Sequence, residues 1–385
     1  MIIKHCFEVR GLILATTLLT GLSFVTHATA EQHSLLIDLD SKLVVNLGSL
    51  GGGGTVARDI NDAGQVVGSS RTIQGETHAF LTGPNGMGMS RVDTDPSENW
   101  SEAVGINNAG QVIGNYPSYY VDPEQWFMRA SSFITGPNSE GRQWLDFQAT
   151  GVNDAGVVVG WDFPKQPFTS SWLIYPAAYS GVYDGGTERI SGLLSFDSQA
   201  ELLAVNNSGQ AVGVASGHAV LGSLYYPSTP PGLWTDIGAL AGNYSSKAVG
   251  INEAGQIIGS YEANGVSHAF ITNASATELI DLGTLGGLGS EALGINDIGQ
   301  VVGWANTADG NRHAFITGPN GEGMIDLNSL VHLSEGGVLT TAMGINNEGQ
   351  VIVLAIPEPE TYALMLAGLG LIGFVGWRQK SGSRV

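Results

Sequence analysis

Apolar and polar positions repeat along this chain with a long, nearly regular spacing. The nine residues from Ile60 to Gly68, INDAGQVVG, place a polar Asn-Asp-Ala-Gly segment between apolar residues. Six related stretches follow, and they begin at Ile106, Val152, Val205, Ile251, Ile295 and Ile345. We call each of these seven stretches a signature. Their starts are 46, 46, 53, 46, 44 and 50 residues apart, which predicts a protein built from copies of one unit.

The polar centre of the signature predicts a tight turn. Asn occupies its second position in every copy, and Gly occupies the position three residues later. An Asn that hydrogen-bonds its own turn and a Gly free to take positive φ are typical of a type I turn closed by a G1 bulge. Each signature is therefore predicted to be the tip of a hairpin, with a short strand such as 103–106 before it and another such as 300–304 after it.

Two further strands complete each unit. The strand after the turn reads QVVG or QIIG, and its apolar residues on both faces predict that both faces are covered. A His-Ala-Phe element then begins a third strand at His78, His268 and His313. Gly-Pro-Asn-Gly turns at 83–86 and 318–321 lead to a fourth strand. Because the units show no helical periodicity, each is predicted to hold four short strands joined by turns.

Four strands in such a period match the content of one β-propeller blade, and the WD40 and kelch arrays have similar periods. The last unit lacks its third and fourth strands, whereas residues 33–37 and 43–52, ahead of the first signature, match them. We therefore predict an all-β fold, a seven-bladed β-propeller of four-stranded antiparallel blades, closed by N-terminal strands that pair with the last repeat. An open β-solenoid with two coils per period is the alternative.

The amino-terminal segment has the features of a signal peptide. Lys4 and Arg10 precede an apolar run over 11–25, and the small residues Ala28 and Ala30 mark a cleavage site for signal peptidase. The only cysteine, Cys6, lies in this segment. The exported chain is therefore predicted to contain no disulfide and to depend on the burial of a hydrophobic core.

The carboxyl-terminal residues combine a break, an apolar run and a basic cluster. The break is made by Pro357, Glu358 and Pro359, which cannot continue a strand or a helix and predict an extended, accessible segment. The apolar run from Thr361 to Trp377 is at the short limit for a transmembrane helix. The basic cluster behind it consists of Arg378, Lys380 and Arg384, and it would remain cytoplasmic.

Taken together, these carboxyl-terminal features resemble the PEP-CTERM sorting signal of Gram-negative bacteria, with Ile356 where valine is usual. The resemblance implies that an exosortase, a membrane cysteine transpeptidase, recognises the Pro-Glu-Pro motif and removes the helix. It also implies an association with exopolysaccharide, biofilm or floc formation. The repeats resemble the HAF-repeat family of extracellular proteins, which has no assigned activity. The predicted domains are the signal peptide at 1–30, the HAF-repeat propeller at 31–355 and the sorting signal at 356–385.

Charge limits the partners of the exported domain. Between Glu31 and Ala355 the chain has 10 basic and 32 acidic residues, a net charge of −22. Such a surface repels nucleic acid and anionic membranes, and it attracts divalent cations. We therefore predict no nucleic-acid partner. Solubility of a large exported protein is a sufficient reason for the acidity.

Two kinds of metal site are conceivable from the repeats. If the His-Ala-Phe strand were innermost, His33, His78, His218, His268 and His313 could line the central channel and bind a metal or an anion. The alternative is that each imidazole makes a structural hydrogen bond at the start of its strand. Asn and Asp at the turns suggest Ca²⁺, but adjacent positions such as Asn61 and Asp62 do not have the alternating spacing of an EF-hand, and a turn explains them. No cofactor is predicted, with Ca²⁺ as the alternative.

Catalytic motifs are not evident in the sequence. The seven arginines of the exported domain are scattered through different repeat positions, and no nucleophile elbow, Walker loop or HExxH motif occurs. The irregular units instead carry aromatic residues that could stack on sugar rings at the rim of a propeller. This candidate ligand face comprises Tyr179, Tyr183, Tyr225, Tyr226 and Trp234.

We therefore predict a non-enzymatic exported protein that is anchored transiently in the inner membrane and sorted by an exosortase to the cell envelope or extracellular matrix. Its partners would be signal peptidase and the exosortase during export, and exopolysaccharide afterwards. A carbohydrate-binding propeller is the alternative, and a propeller glycoside hydrolase, with two carboxylates at one face, is a further one.

Overall fold

The computed structural model of the chain describes residues 33–93, 100–121, 128–145, 147–162, 177–182, 187–189, 200–224, 234–242, 244–333 and 337–356, together with Gly370. The predicted signal peptide with Ala28 and Ala30, the Pro357-Glu358-Pro359 motif, and the basic cluster of Arg378, Lys380 and Arg384 lie outside these residues. So does the apolar run over 361–377, apart from Gly370. Within the described part of the chain, no helix has both the length and the apolar character needed to cross a membrane.

Each unit of the sequence forms one four-stranded antiparallel sheet. Sheet I contains β3 (Gly51–Ile60), β4 (Val66–Thr72), β5 (Thr77–Thr82) and β6 (Met89–Arg91), and it follows β1 (His33–Asp38) and β2 (Val44–Asn46). Sheet II contains β7 (Glu102–Ile106), β8 (Val112–Val121), β9 (Met128–Ile134) and β10 (Gln143–Leu145). Sheet III contains β11 (Gln148–Val152), β12 (Val157–Asp162), β13 (Ala177–Val182) and β14 (Thr187–Arg189).

The second half of the chain repeats this pattern. Sheet IV contains β15 (Ala200–Val205), β16 (Gln210–Ala215), β17 (His218–Ser223) and β18 (Thr235–Asp236). Sheet V contains β19 (Ser246–Ile251), β20 (Ile257–Ala263), β21 (Val266–Thr272) and β22 (Leu279–Asp281). Sheet VI contains β23 (Gly286–Ile295), β24 (Val301–Thr307), β25 (Arg312–Thr317) and β26 (Met324–Asp326). Short 3₁₀ turns lie at Pro84–Gly86, Pro137–Ser139, Gly238–Ala241, Pro319–Gly321 and Leu327–Ser329.

The two ends of the repeat region share a seventh sheet, which we call the closing sheet. It adds β27 (Val338–Ile345) and β28 (Gln350–Ile356) to the first two strands, in the order β2-β1-β28-β27. β1 pairs with β28 in antiparallel register from His33 opposite Ala355 to Asp38 opposite Gln350. The predicted pairing of the N-terminal strands with the last repeat is therefore confirmed.

The sheets form a ring around an axis lined by their first strands. The first strand of each sheet contacts the first strand of the next, from β3 through β7, β11, β15, β19, β23 and β27, and β27 contacts β3. The fourth strands consequently lie at the rim. This architecture confirms the predicted all-β β-propeller. The open β-solenoid alternative is wrong, because antiparallel sheets and the pairing of β1 with β28 close the ring on itself.

Burial on both faces of each sheet explains the apolar pattern QVVG. Phe80, Phe133, Phe270 and Phe315, from the third strands, are fully buried between neighbouring sheets. The Gly that ends this pattern makes room for them. A Cβ on Gly303 would lie 1.9 Å from the Glu291 carbonyl oxygen and 3.0 Å from the Phe315 ring. The second strand therefore needs Gly where the first strand and the aromatic ring of the third strand approach it.

Candidate functional site

The signature turns form a hydrogen-bonded collar around the axis. In each turn the Asn carbonyl accepts the N–H of the Gly three residues later, and that Gly has a φ between +71° and +84°. The Asn side-chain amide donates to the Asn carbonyl of the next turn at 2.8–3.4 Å. The last of these bonds joins Asn346 to Asn61. The predicted hairpin tips are confirmed, and all seven lie on one side of the ring, which we call the tip face; the opposite side is the far face.

A second ring follows one residue later in each turn. There, each backbone N–H donates to the side-chain oxygen of the equivalent residue in the next turn, at 2.8–3.0 Å. The ring consists of Asp62, Asn108, Asp154, Asn207, Glu253, Asp297 and Asn347. Every side chain in it therefore accepts a hydrogen bond from the neighbouring sheet, which couples the sheets to one another at the axis.

Four carboxylates of this ring are interleaved with three amides. The amide of Asn347 donates to both Asp62 and Asp297, which places a donor between two negative charges. No amide separates Glu253 from Asp297. Burial, together with the charges of Asp297 and Asp154, raises the pKa of Glu253 above its usual value, against the lowering effect of a hydrogen bond from Asn207. The part of the chain that the structure describes contains no group of three or more His, Cys, Asp or Glu side chains arranged to hold a metal. The Ca²⁺ hypothesis stays a prediction.

A cavity of about 400 Å³ with a mixed polar and apolar lining lies at the axis. Its lining includes Arg58, Glu102, Gln148, Thr150 and Lys247, from sheets I, II, III and V. Arg58 Nε lies 2.5 Å from Glu102 Oε1 and joins the first strands of two neighbouring sheets. The cavity brings charged groups together at the place where propeller folds commonly leave a channel.

Asp59 is a residue that the sequence interpretation missed. The other six units have Gly or Ala at its position, just before the apolar residue that opens the signature. Its carboxylate accepts hydrogen bonds from the backbone N–H groups of Ile106 and Ile60, both at 2.8 Å. Burial raises the pKa of Asp59 to about 6, although these two hydrogen bonds act in the opposite direction. The departure from Gly was the signal in the sequence that pointed to it.

The histidines of the His-Ala-Phe strands lie away from the axis. These strands are third in their sheets, so the hypothesis of a histidine-lined channel is wrong. The Nδ1 atoms of His78, His218 and His313 lie 2.9, 2.9 and 2.6 Å from an aspartate carboxylate of the same unit. These aspartates are Asp93, Asp236 and Asp326. The structural hydrogen-bond interpretation is confirmed for these three, and the aspartate partners were not predicted.

The pair in sheet I has two further members. Asp93 accepts hydrogen bonds from His78, from Arg91 and from Ser101 of the next sheet. Burial opposes ionisation of Asp93, but the hydrogen bonds from Arg91, Ser101 and His78 outweigh it and hold the pKa of this carboxyl below its usual value. The aspartate stands between histidine and serine, whereas a nucleophilic triad needs histidine in the middle. The arrangement therefore fastens sheet I to sheet II rather than activating Ser101.

The predicted ligand face is only partly described. Tyr183, Tyr225 and Tyr226 lie outside the described residues, and for Tyr179 only the backbone is described, in β13 opposite Gly160 and Arg189. Trp234 is half-buried. It packs against the hydrophobic cluster of sheet IV, and its indole occupies the space beside Gly222. The ligand face stays a prediction.

An aromatic group that was not predicted lies on sheet V. The rings of Tyr244 and Tyr261 are stacked with centroids 6.2 Å apart, and Tyr261 stacks on His268 at 5.3 Å. Tyr244 is 44% exposed. The Tyr261 hydroxyl donates to Asp281 at 2.8 Å, and burial together with this carboxylate raises the pKa of Tyr261 to about 12. We call these three rings the aromatic column.

Comparison with known proteins assigns the carboxyl-terminal segment and the fold. The PEP-CTERM protein-sorting motif matches residues 355–381. None of the curated proteins matches the chain. Among solved structures, the chain is similar to the β-propeller domain of the trilobed protease from Pyrococcus furiosus, with a TM-score of 0.52 and 11% identity over 77% of this chain and 87% of that one. It is also similar to an acylaminoacyl peptidase from Pyrococcus horikoshii, with a TM-score of 0.50 and 11% identity over 78% of this chain and 49% of that one.

The two kinds of match carry different information. At such low identities, the likeness to the two archaeal proteins shows the β-propeller fold alone. The propeller domain from Pyrococcus furiosus is described as having an open velcro topology. Here, by contrast, β1 and β28 pair over six residues of each strand. The sorting-motif match begins at Ala355, inside β28, so the motif follows the closing sheet without an intervening linker.

Proposed function

We propose that this protein is exported, anchored transiently by its carboxyl-terminal helix, and processed by an exosortase that delivers the propeller to the cell envelope or extracellular matrix. The observation that carries the proposal is the match to the PEP-CTERM motif at 355–381, directly after the last strand. A signal peptide over residues 1–30 fits the same route. In the matrix the propeller would act as a structural or binding component associated with exopolysaccharide.

Each of the seven sheets is one blade in this proposal, and the units are HAF-type extracellular repeats. Support for seven blades comes from the seven signatures and from the collar, in which seven Asn side chains each reach the next turn. Support for the repeat family is the His-Ala-Phe triplet at residues 78–80, 268–270 and 313–315.

A non-enzymatic role is part of the proposal. The three pairs of histidine and aspartate lie in three different units, so they do not converge on a single substrate. Ser101 reaches Asp93 rather than an imidazole. Both observations favour a role for these groups in stabilising the sheets.

Alanine replacement of Pro357, Glu358 and Pro359 tests the sorting route in the native host. The wild-type protein should lose its carboxyl-terminal tail and leave the membrane fraction, whereas the triple variant should keep both its tail and its membrane association. Intact-mass measurement of the recovered protein distinguishes the two forms. The matched control is Glu360→Ala, just outside the motif, which should be processed normally. If the triple variant is trimmed and released like the wild type, the proposed route is wrong.

Polysaccharide binding is the second candidate function, and the aromatic column favours it. An exposed ring such as that of Tyr244, stacked on a second ring, suits the apolar face of a sugar. Binding of the host exopolysaccharide should fall at least about tenfold in Tyr244→Ala, the loss of one stacking anchor. Trp144→Ala, which removes an exposed aromatic ring from sheet II, is the control and should bind normally. Equal binding by both variants and the wild type would exclude this column as the site.

A further inference from the structure

We infer that the far face is the surface that rests on the membrane while the tail is attached, and that Ile73 and Leu288 enter the lipid headgroup region there. This inference rests on the proposed transient anchoring. It specifies which face of the propeller contacts the bilayer, and therefore which face is directed away from the membrane.

In the closing sheet, β1 begins and β28 ends at the far face. β28 starts beside the signature turn at 346–349 and runs away from the tip face to Ile356, which lies opposite Val338. β1 runs the other way, so its first residue, His33, lies beside Ala355. The site where the predicted signal peptide joins the domain and the site where the sorting motif begins are therefore neighbours on one face.

The tether to the membrane is short. Only residues 357–360 separate Ile356 from the apolar run that begins at Thr361. From Ile356 to Thr361 the chain makes five residue-to-residue steps, which span at most about 18 Å even when fully extended. Because Ile356 is paired within the closing sheet, the far face must stay within that distance of the start of the apolar run.

Two apolar side chains project from this face on either side of the tether. Ile73, in the turn between β4 and β5, is 78% exposed, and Leu288, at the start of β23, is 77% exposed. They are the most exposed large hydrophobic side chains in the described part of the chain. Sheets I and VI, which carry them, are the two neighbours of the closing sheet. Their positions would place one apolar contact on each flank of the anchor.

The short tether allows two apolar side chains to give appreciable membrane contact. Two side chains alone contribute only a small favourable transfer free energy, and the acidic surface opposes binding to anionic lipid. A short linker raises the effective concentration of the second contact into the millimolar range, so weak apolar insertion becomes populated. Apolar side chains at an interface insert about 5–10 Å into the headgroup and acyl boundary.

Single-cysteine labelling tests this orientation cleanly, because the chain has no cysteine beyond Cys6. The protein, with signal removed and tail present, is reconstituted in phosphatidylcholine vesicles as Ile73→Cys, Leu288→Cys, Met87→Cys or Leu43→Cys. Met87 and Leu43 are matched controls, 63% and 59% exposed, on turns of the tip face. Each variant carries an environment-sensitive fluorophore, and the vesicles contain nitroxide-labelled lipid.

Quenching should be at least about twofold stronger at positions 73 and 288 than at 87 and 43, since only the former reach the interface. A chain ending at Ile356 should lose that difference, because the tether is gone. Equal quenching on both faces of protein that floats with the vesicles would overturn the orientation alone. Protein that does not float with the vesicles would overturn the anchoring and the orientation together.

Discussion

At the residue scale, one Asn and one Gly per unit determine how the sheets meet at the axis. Their repetition predicted the turns correctly, because the conformational freedom of Gly and the local hydrogen bonds of Asn act within a few residues. The side-chain bond from each Asn to the next turn was not predictable, since it joins residues 44 to 53 positions apart, or 285 for the last pair. Asp93, Asp236 and Asp326 were missed for the same reason, because their histidine partners lie on a different strand.

Replacement of Gly299 tests the turn directly. Its φ is +77°, and a Cβ there would lie 2.7 Å from Gln256 Oε1 and 2.8 Å from the Asn320 backbone nitrogen. Gly299→Val should therefore lower the free energy of unfolding by about 2–4 kcal/mol, through backbone strain and overpacking. Chemical denaturation measures the difference. Gly310→Val is the control for strain alone, because it has a φ of +81° with open space around it and should lose less stability. Unchanged stability of Gly299→Val would contradict the turn assignment.

The buried carboxyl of Asp59 predicts a dependence of stability on pH. Because its pKa is raised from 3.8 to about 6, the folded protein binds more protons than the unfolded chain between these values, so the contribution of this group to stability is fully present only below about pH 3.8. The contribution decreases as pH rises through 6 and is constant above about pH 7. A difference of one pH unit between the folded and unfolded pKa values corresponds to about 1.4 kcal/mol of stability.

Asp59→Asn should remove this decrease, because the amide does not titrate. The free energies of unfolding of the two proteins, measured by chemical denaturation from pH 4 to 7, should diverge with rising pH in favour of the variant. A difference that stays constant over this range would contradict the prediction.

At the scale of the element, the apolar pattern predicted strands well and packing poorly. Short apolar runs bounded by Gly, Asn and Pro identified the strands that surround each turn. The pattern QVVG correctly predicted covered faces, but not why Gly follows the two apolar residues. The reason is the packing around this Gly, because the carbonyl of the first strand and the Phe of the third strand leave no room for a Cβ.

Gly303→Ala tests that packing without involving backbone strain. The new methyl group would meet the Glu291 carbonyl oxygen and the Phe315 ring, so the strands must separate. We expect a loss of about 1–3 kcal/mol or more in the free energy of unfolding. Leu288→Ala, at an exposed site, should change it by less than about 0.5 kcal/mol. Equal stability of the two variants would show that sheet VI tolerates the added volume and would contradict this explanation.

At the scale of the whole molecule, the closure of the ring was predictable from the sequence, but the ligand of the propeller was not. The missing strands of the last unit and the matching strands near the amino end could be compared within the sequence alone. The hydrogen bonds of Asn346 and Asn347 to Asn61 and Asp62 repeat the closure at the axis. A ligand is different, because recognition depends on which side chains meet on a surface, and the aromatic column joins a loop residue with residues from two strands.

The pairing of the two ends is most directly tested by a disulfide between His33→Cys and Ala355→Cys. Residues directly opposite in an antiparallel pair have Cα atoms about 4.5–5.5 Å apart, within the range of a disulfide. With Cys6 removed with the signal, we expect a quantitative intramolecular crosslink under mild oxidation, seen as a reducible mobility shift of the monomer. The control pair, His33→Cys with Met87→Cys, lies on opposite faces and should not form it. Free thiols in the first variant, or crosslinked dimers in place of the monomer, would contradict a ring closed by its own ends.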